Sequence, residues 1–169
     1  MTEKRDVVDN LELRYEGIFS LEELYKLIDD WQIQMGYDRQ EMKNFEQVFE
    51  AGRDIEIELQ PWKKINENEK IIIKIIILVK KMKDIKVKMG DSEVKMNQGQ
   101  VQVRFAGFLF TDYFHKWEGK PYFFFLKSLW HRFVYYLPTD RHESLVAEEV
   151  NKLYSNVKGH LNLMRRRVG

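Results

Sequence analysis

Cysteine is absent from this chain of 169 residues, and proline occurs only three times. Without cysteine there can be no disulfide, no thiolate nucleophile and no cysteine-ligated zinc ion. Long apolar runs are also absent, because the longest, IIIKIIILV, is far shorter than the roughly 18 residues of a membrane-spanning helix. The amino-terminal segment MTEKRDVVDN lacks the apolar core of a signal peptide. We therefore predict a soluble, intracellular protein located in the cytoplasm.

Motifs of the common enzyme classes are absent as well. The histidines form no metal-ligand spacing such as H-E-x-x-H, no serine lies in G-x-S-x-G, and no glycine-rich phosphate loop occurs. Asp112, His115 and Glu118 lie close together in the chain, as a base and an orienting carboxylate do, but a polar turn has the same composition. His142 and His160, near the two ends of a predicted helix, are interpreted as solvated. We predict a protein that is not an enzyme and holds no cofactor and no metal.

What remains is the composition of a single folded domain spanning residues 1–169. Hydrophobic residues make up 44% of the chain and charged residues 33%, so it can both fill a core and solvate its surface. The abundance of isoleucine, lysine and glutamate is typical of thermophile proteins.

Hydrophobic periodicity predicts a strand and then a helix near the amino terminus. LELRYEGI alternates apolar and polar side chains, as a half-buried strand does. Ser20 and Glu23 have capping-box spacing, and apolar residues then recur at helical intervals as far as Gly36, a residue that suits a helix end.

The middle of the chain predicts an antiparallel meander of about five or six strands. DIEIELQPW and VQVRFAGFLF alternate, whereas IIIKIIILV is apolar on both faces. Such a strand is expected at the centre of a sheet with both faces covered. Gly90-Asp91 suits a two-residue hairpin turn, and Asn97-Gln98-Gly99 is expected to turn again.

Two carboxy-terminal helices are predicted to pack on this sheet, which gives an α+β fold. Pro121 suits the start of the first helix, Pro138 is expected to end it, and Asp140 with Glu143 has the spacing of a second helix start. This order of elements is similar to the helix-grip arrangement of the START and polyketide-cyclase-like superfamily. The resemblance implies a sheet that curls around the last helix and leaves an apolar cavity.

Aromatic side chains are concentrated in the predicted helix 121–137. Placed at 100° per residue, the segment has an apolar stripe of the kind that faces a core. Further aromatic residues flank this stripe, and if they are exposed they mark a contact with a partner or a membrane. These residues are Phe124, Phe125, Tyr135 and Tyr136.

Charge is distributed unevenly, which predicts a basic surface. Residues 1–60 carry 7 Lys/Arg and 16 Asp/Glu, a net charge of −9, whereas residues 61–169 carry 21 and 11, a net charge of +10. Either the two parts neutralise each other within the fold, or one face is free to bind an anionic partner. Lysines at a sheet edge or arginines at a helix end also have structural roles. The candidate anion or nucleic-acid contacts are Lys80, Lys81, Lys83, Lys86, Lys88, Lys158, Arg165, Arg166 and Arg167.

Three hypotheses for function follow. The first is a non-catalytic binding protein that contacts RNA or a ribonucleoprotein through the basic strand and the arginine tail. The second is a carrier of an apolar, lipid-like ligand of the helix-grip type. The third is a peripheral membrane protein that uses the aromatic helix 121–137, because interfacial helices carry aromatic residues on one face and basic residues on the other.

Overall fold

A computed structural model of the chain describes residues 3–111 and 136–168, with side chains described as far as residue 111 and from residue 141 to residue 167. It confirms the α+β class and the antiparallel sheet. The elements in chain order are β1 (Glu3–Phe19), α1 (Leu21–Gln34), β2 (Glu41–Phe49), β3 (Gly52–Leu59), β4 (Trp62–Lys64), β5 (Glu69–Met89), β6 (Ser92–Thr111) and α2 (Tyr136–Val168).

The six described strands form one antiparallel sheet in the order β1-β6-β5-β3-β2, and the short β4 also pairs with β5. The predicted central strand is therefore β5, which lies between β6 and β3. It joins β6 through the predicted turn at Gly90-Asp91, where Gly90 has a φ of 62°. A left-handed φ of this kind favours glycine in a two-residue hairpin turn.

The predicted turn at Asn97-Gln98-Gly99 is wrong, because β6 runs straight through these residues. The irregularity lies instead on the neighbouring strand, where a bulge falls between Lys80 and Lys83 and Lys81 has a φ of 53°. A Cβ atom on Gly99 would lie 2.9 Å from the carbonyl oxygen of Lys80. A side chain at position 99 would clash with the bulged backbone of β5, and glycine avoids this clash.

Helix α1 follows its predicted boundaries because the capping residues work as expected. The backbone N–H of Glu23 donates to Ser20 Oγ over 3.2 Å, and this satisfies a donor that the helix itself leaves free. Leu24, Ile28 and Trp31 then fall on one face and are buried.

Helix α2 lies across one face of the sheet and encloses the core. Ile71, Ile73, Ile75 and Ile77 of β5 are fully buried on this face. The apolar stripe of α2 that meets the sheet consists of Val146, Val150, Leu153, Val157 and Leu161. At Gly107 of β6 the approach is so close that a Cβ atom would lie 2.7 Å from Val146 Cγ1.

The start of α2 corrects the predicted helix break. Pro138 lies within the first turn of α2, and Asp140, predicted to cap the helix, lies inside it. Proline is tolerated in a first turn, since its missing N–H would have no partner there. The predicted helix 121–137 lies almost entirely outside the described residues, as do Phe124, Phe125 and Tyr135. Tyr136 opens α2, but its side chain is not described.

On the opposite face of the sheet, Ile72, Ile76 and Leu78 of β5 are only partly buried. Whether residues 121–137 cover this face, as the sequence predicts, stays a prediction. Among the residues that the structure describes, no helix has both the length and the apolarity needed to cross a bilayer.

Candidate anion-binding surface

The β5–β6 hairpin extends beyond the rest of the sheet. The pairing of β3 with β5 ends at Arg53 and Met82, and the pairing of β1 with β6 ends at Phe19 and Asn97. Residues 83–96 therefore form a two-stranded ribbon in which β5 and β6 have only each other as strand partners in the described part. We call residues 83–96 the arm.

Three lysines lie on one side of the arm, together with Asp84 and with Glu93, which is opposite Lys88. Lys86 and Lys88 alternate with the half-buried Ile85 and Val87, and both lysines are exposed. Lys95 of β6 lies directly opposite Lys86. Like charges in directly opposed positions destabilise an antiparallel pair, so this part of the arm is a position where a bound anion would relieve repulsion.

Lys95 was missed by the sequence reasoning, although the predicted turn contained the information. A two-residue turn at Gly90-Asp91 fixes Met89 opposite Ser92, and counting outward from there places Lys86 opposite Lys95.

The acid within the lysine segment, Asp84, lies on the same side of β5 as Lys86 and Lys88 but already has partners of its own. Asp84 accepts from Arg53 Nη2 over 2.6 Å and from Asn97 Nδ2 over 2.9 Å. Its charge is therefore already compensated. Among the described residues, no acidic side chain forms an ion pair with the lysines at positions 80, 81, 83, 86, 88 and 95.

Two neighbouring hollows lie at the base of the arm. The first, of about 580 Å³, is lined by Lys80 and by Arg165 near the end of α2. The second, of about 450 Å³, is lined by Lys81 and Lys83. We call the two hollows together the groove. The structure thus brings the predicted lysine strand and one arginine of the predicted tail to the same surface.

Other residues in the groove limit where an anion would bind. Glu16 lines both hollows and repels anions from the region between them. Arg14 lines the first hollow but forms an ion pair with Glu12. The groove is therefore most attractive to anions at its two ends, near Arg165 and Lys80 and near Lys81 and Lys83.

Arg165 is placed by Tyr15, a residue of the edge strand β1. Its guanidinium carbon lies 5.8 Å from the centroid of the Tyr15 ring, a cation–π distance. The Tyr15 hydroxyl donates to the backbone carbonyl of Ile18 over 2.7 Å, which fixes the ring. Burial raises the pKa of Tyr15, with Arg165 acting in the opposite direction, so the ring stays a neutral phenol at pH 7.

The remaining predicted contacts lie away from the groove. Arg166 and Arg167 are exposed in the last turn of α2, where positive charge also complements the helix dipole. Lys158 is exposed on α2, with its ammonium 5.9 Å from the Tyr154 ring centroid.

A buried polar cluster, which the sequence did not reveal, joins the segment that follows α1 to β4 and α2. Glu149 of α2 is buried, and it accepts from the Tyr37 hydroxyl and from Lys63 Nζ, the latter over 2.7 Å. Lys63 also donates to the carbonyl of Met35 over 3.2 Å. Burial and the Glu149 carboxylate hold the pKa of Tyr37 far above its ordinary value. All three side chains have partners, which is the pattern of a structural tie between elements.

The two histidines of α2 are not solvated as predicted. His142 is half-buried, and its Nδ1 lies 2.7 Å from Glu69 Oε2 without forming a hydrogen bond. His160 is half-buried, and burial lowers its pKa; Glu23 acts against this shift and Arg167 adds to it. In the described ranges no three His, Asp or Glu side chains converge as metal ligands.

Comparison of the chain with known protein families, curated proteins and solved structures finds no match. The resemblance to the helix-grip superfamily therefore stays a prediction, and any function must be argued from the chain's own residues.

Proposed function

We propose that this protein binds RNA, through contacts between its basic surface and the phosphate backbone. The observation that carries the proposal is the set of lysines on the arm and groove that form no ion pair in the described part of the chain, joined by Arg165 from α2. Contacts of Lys and Arg with phosphates release counterions, and this release supplies most of the affinity of binding that does not depend on sequence.

The rest of the charge distribution supports this choice of surface. Away from the arm and groove, several basic residues of the described part are already paired with acids, as in Arg5–Glu143, Lys63–Glu149 and Lys74–Glu58. The arm carries four lysines against three acids, and the groove adds Lys80, Lys81 and Arg165 to the same surface. An RNA-binding role agrees with the predicted cytoplasmic location.

The test is the binding of a fluorescently labelled single-stranded RNA of mixed sequence at low salt, followed by anisotropy. The variant Lys86→Gln/Lys95→Gln removes two charges from the arm, and we expect it to weaken binding by about tenfold. The matched control, Lys26→Gln/Lys152→Gln, removes two charges from the exposed faces of α1 and α2 and is expected to bind like the wild type.

Two results would overturn the proposal. One is the absence of any RNA binding by the wild type at low salt. The other is an equal loss of affinity in the arm variant and in the control variant, since that would show a dependence on net charge alone.

The other two functions predicted from the sequence stay predictions. At Gly107 the sheet and α2 are in direct contact, and this contact leaves no room for an apolar ligand at that point. A membrane contact through residues 121–137 concerns a segment outside the described residues. No observation on the described residues favours either function over RNA binding.

A further inference from the structure

The two edges of the sheet differ in how they are protected against pairing with another strand. The β1 edge has register shifts between Asp6 and Val8 and between Val8 and Leu11, and Asn10 has a left-handed φ of 47°. Bulges of this kind interrupt an edge and discourage the addition of a further strand.

The β2 edge lacks this protection along most of its length. All nine of its residues are exposed, and in the described part of the chain it pairs only with β3. Its register with β3 is continuous from Lys43 to Phe49, after a single shift at its start. The exposed fractions of its large apolar residues are 51% for Met42, 51% for Phe45, 72% for Val48 and 48% for Phe49.

We propose that β2 is a self-association surface, on which β2 of a second copy of this chain pairs in antiparallel orientation. The two-fold axis passes through Phe45, so that Phe45 lies opposite Phe45 of the second copy. Sheet pairing would satisfy the free backbone N–H and C=O groups of both edges and would cover the exposed apolar side chains.

The sequence of β2 is self-complementary in this register. Phe45 meets Phe45, and on either side Asn44 meets Glu46, Lys43 meets Gln47 and Met42 meets Val48, so that only the outermost pair, Glu41 with Phe49, is mismatched. Amide–carboxylate and apolar–apolar pairs are favourable across strands. No like charges are opposed.

The neighbouring registers are less favourable. Pairing centred on Glu46 would place Glu46 opposite Glu46 of the second copy, a repulsive pair. Pairing centred on Asn44 would place Phe45 opposite Lys43. A shift by an odd number of residues would turn the second copy over. The inner face of one sheet would then lie next to the outer face of the other.

The three charged residues of β2, at positions 41, 43 and 46, meet no like charge in this register, and two of them are already paired within one chain. Lys43 Nζ lies 2.9 Å from Glu56, and Glu46 lies 3.1 Å from Arg53 Nη1. Both charges are therefore compensated within one chain. This compensation, together with the self-complementary register, favours a second copy over a peptide of different sequence.

The first experiment measures molar mass by light scattering across a wide range of protein concentration. We expect the mass to rise towards twice the 20.5 kDa of one chain. The variant Phe45→Lys/Val48→Lys is expected to remain monomeric, whereas Ile33→Lys on α1, where Ile33 is similarly exposed at 57%, is expected to associate like the wild type. Far-UV circular dichroism of each variant checks that it is folded.

The second experiment uses the absence of native cysteine to test the register. Opposed residues in an antiparallel pair have Cα atoms about 4.5–5.5 Å apart, within the range that a disulfide spans. Phe45→Cys is therefore expected to form a disulfide-linked dimer under mild oxidation. In Phe49→Cys the two cysteines would lie about 27 Å apart in the same dimer, so little cross-linking is expected.

The proposal is overturned by a monomer mass at the highest attainable concentration. It is also overturned by a dimer that persists in Phe45→Lys/Val48→Lys, or by equal cross-linking of Phe45→Cys and Phe49→Cys. The first result would exclude self-association, and the others would place it on a different surface.

Discussion

The contact between Gly107 and α2 provides a direct test of how the helix packs on the sheet. In the variant Gly107→Ala, the new Cβ atom would lie 2.7 Å from Val146 Cγ1 and 2.9 Å from Val150 Cγ2. These methyl groups belong to β-branched side chains, which have little rotamer freedom in a helix. The extra methyl group must therefore displace α2 or force strained rotamers.

The expected loss of stability can be estimated from two opposing effects. Overpacking a close-packed core by a methyl group costs about 1–3 kcal/mol. Replacing glycine with alanine also restricts the unfolded chain, and this stabilises the protein by about 0.4–1 kcal/mol. We expect a net decrease of about 1–2 kcal/mol in the free energy of unfolding, or a fall in Tm of about 2–8 °C for a chain of this size.

Denaturant unfolding followed by circular dichroism measures this change, and Gly159→Ala is its matched control. Gly159 lies on the exposed side of α2, with no atom within 4 Å of the position that its Cβ would take. Alanine is the better helix former, so Gly159→Ala is expected to stabilise the protein by about 0.5–1 kcal/mol. If Gly107→Ala also proves neutral or stabilising, α2 does not contact β6 as described.

A companion substitution shows whether Val146 is the residue that is crowded. Val146→Ala removes the closer of the two methyl groups and leaves room for the new Cβ atom. The double variant Gly107→Ala/Val146→Ala is then expected to lose less stability than the sum of the single variants, with a coupling of at least about 0.5 kcal/mol. Additive losses would mean that the two positions do not touch.

Three further predictions concern ionisable groups. Burial lowers the pKa of His160 below its ordinary 6.5, so the unfolded chain binds the proton more readily than the folded chain does. The free energy of unfolding is therefore unaffected by this histidine above about pH 6.5, and it decreases as the pH falls from there through the folded-state pKa. In His160→Gln, the melting temperature between pH 8 and pH 5 is expected to depend less on pH than in the wild type. Glu149→Ala leaves Lys63, whose side chain is 21% exposed, without its carboxylate partner, and is expected to cost about 3 kcal/mol in denaturant unfolding. Replacing the whole cluster, as Tyr37→Phe/Lys63→Met/Glu149→Leu, leaves no buried hydroxyl or charge without its partner and should cost much less, and an equal cost would refute this account of the cluster. Glu16→Gln removes the acid between the two hollows and is expected to strengthen RNA binding severalfold in the anisotropy assay, whereas weaker binding would place the RNA elsewhere.

Much of the fold could be predicted because it depends on neighbouring residues in the chain. The cap formed by Ser20 and Glu23 and the turn at Gly90 are local patterns, and both are confirmed. The prediction of a turn near Gly99 is wrong for the opposite reason. The need for glycine there arises from the carbonyl of Lys80 on the adjacent strand, which no local pattern shows.

The candidate site was predictable in its charges but not in its assembly. The lysine segment could be found directly in the sequence, whereas the arrival of Arg165 beside Lys80 depends on how α2 crosses the sheet. The tie between Tyr37 and Glu149 joins residues 112 positions apart, and spacing along the chain cannot indicate such a contact.

The proposal that the arm and groove bind RNA is tested most directly by the salt dependence of that binding. For single-stranded nucleic acid, the slope of log K against log salt is about −0.7 for each phosphate contacted. If Lys86 and Lys95 each contact a phosphate, Lys86→Gln/Lys95→Gln is expected to flatten the slope by about 1.4. The Lys26→Gln/Lys152→Gln control should keep the slope of the wild type. An identical slope in the wild type and in the arm variant would contradict the proposed role of the arm.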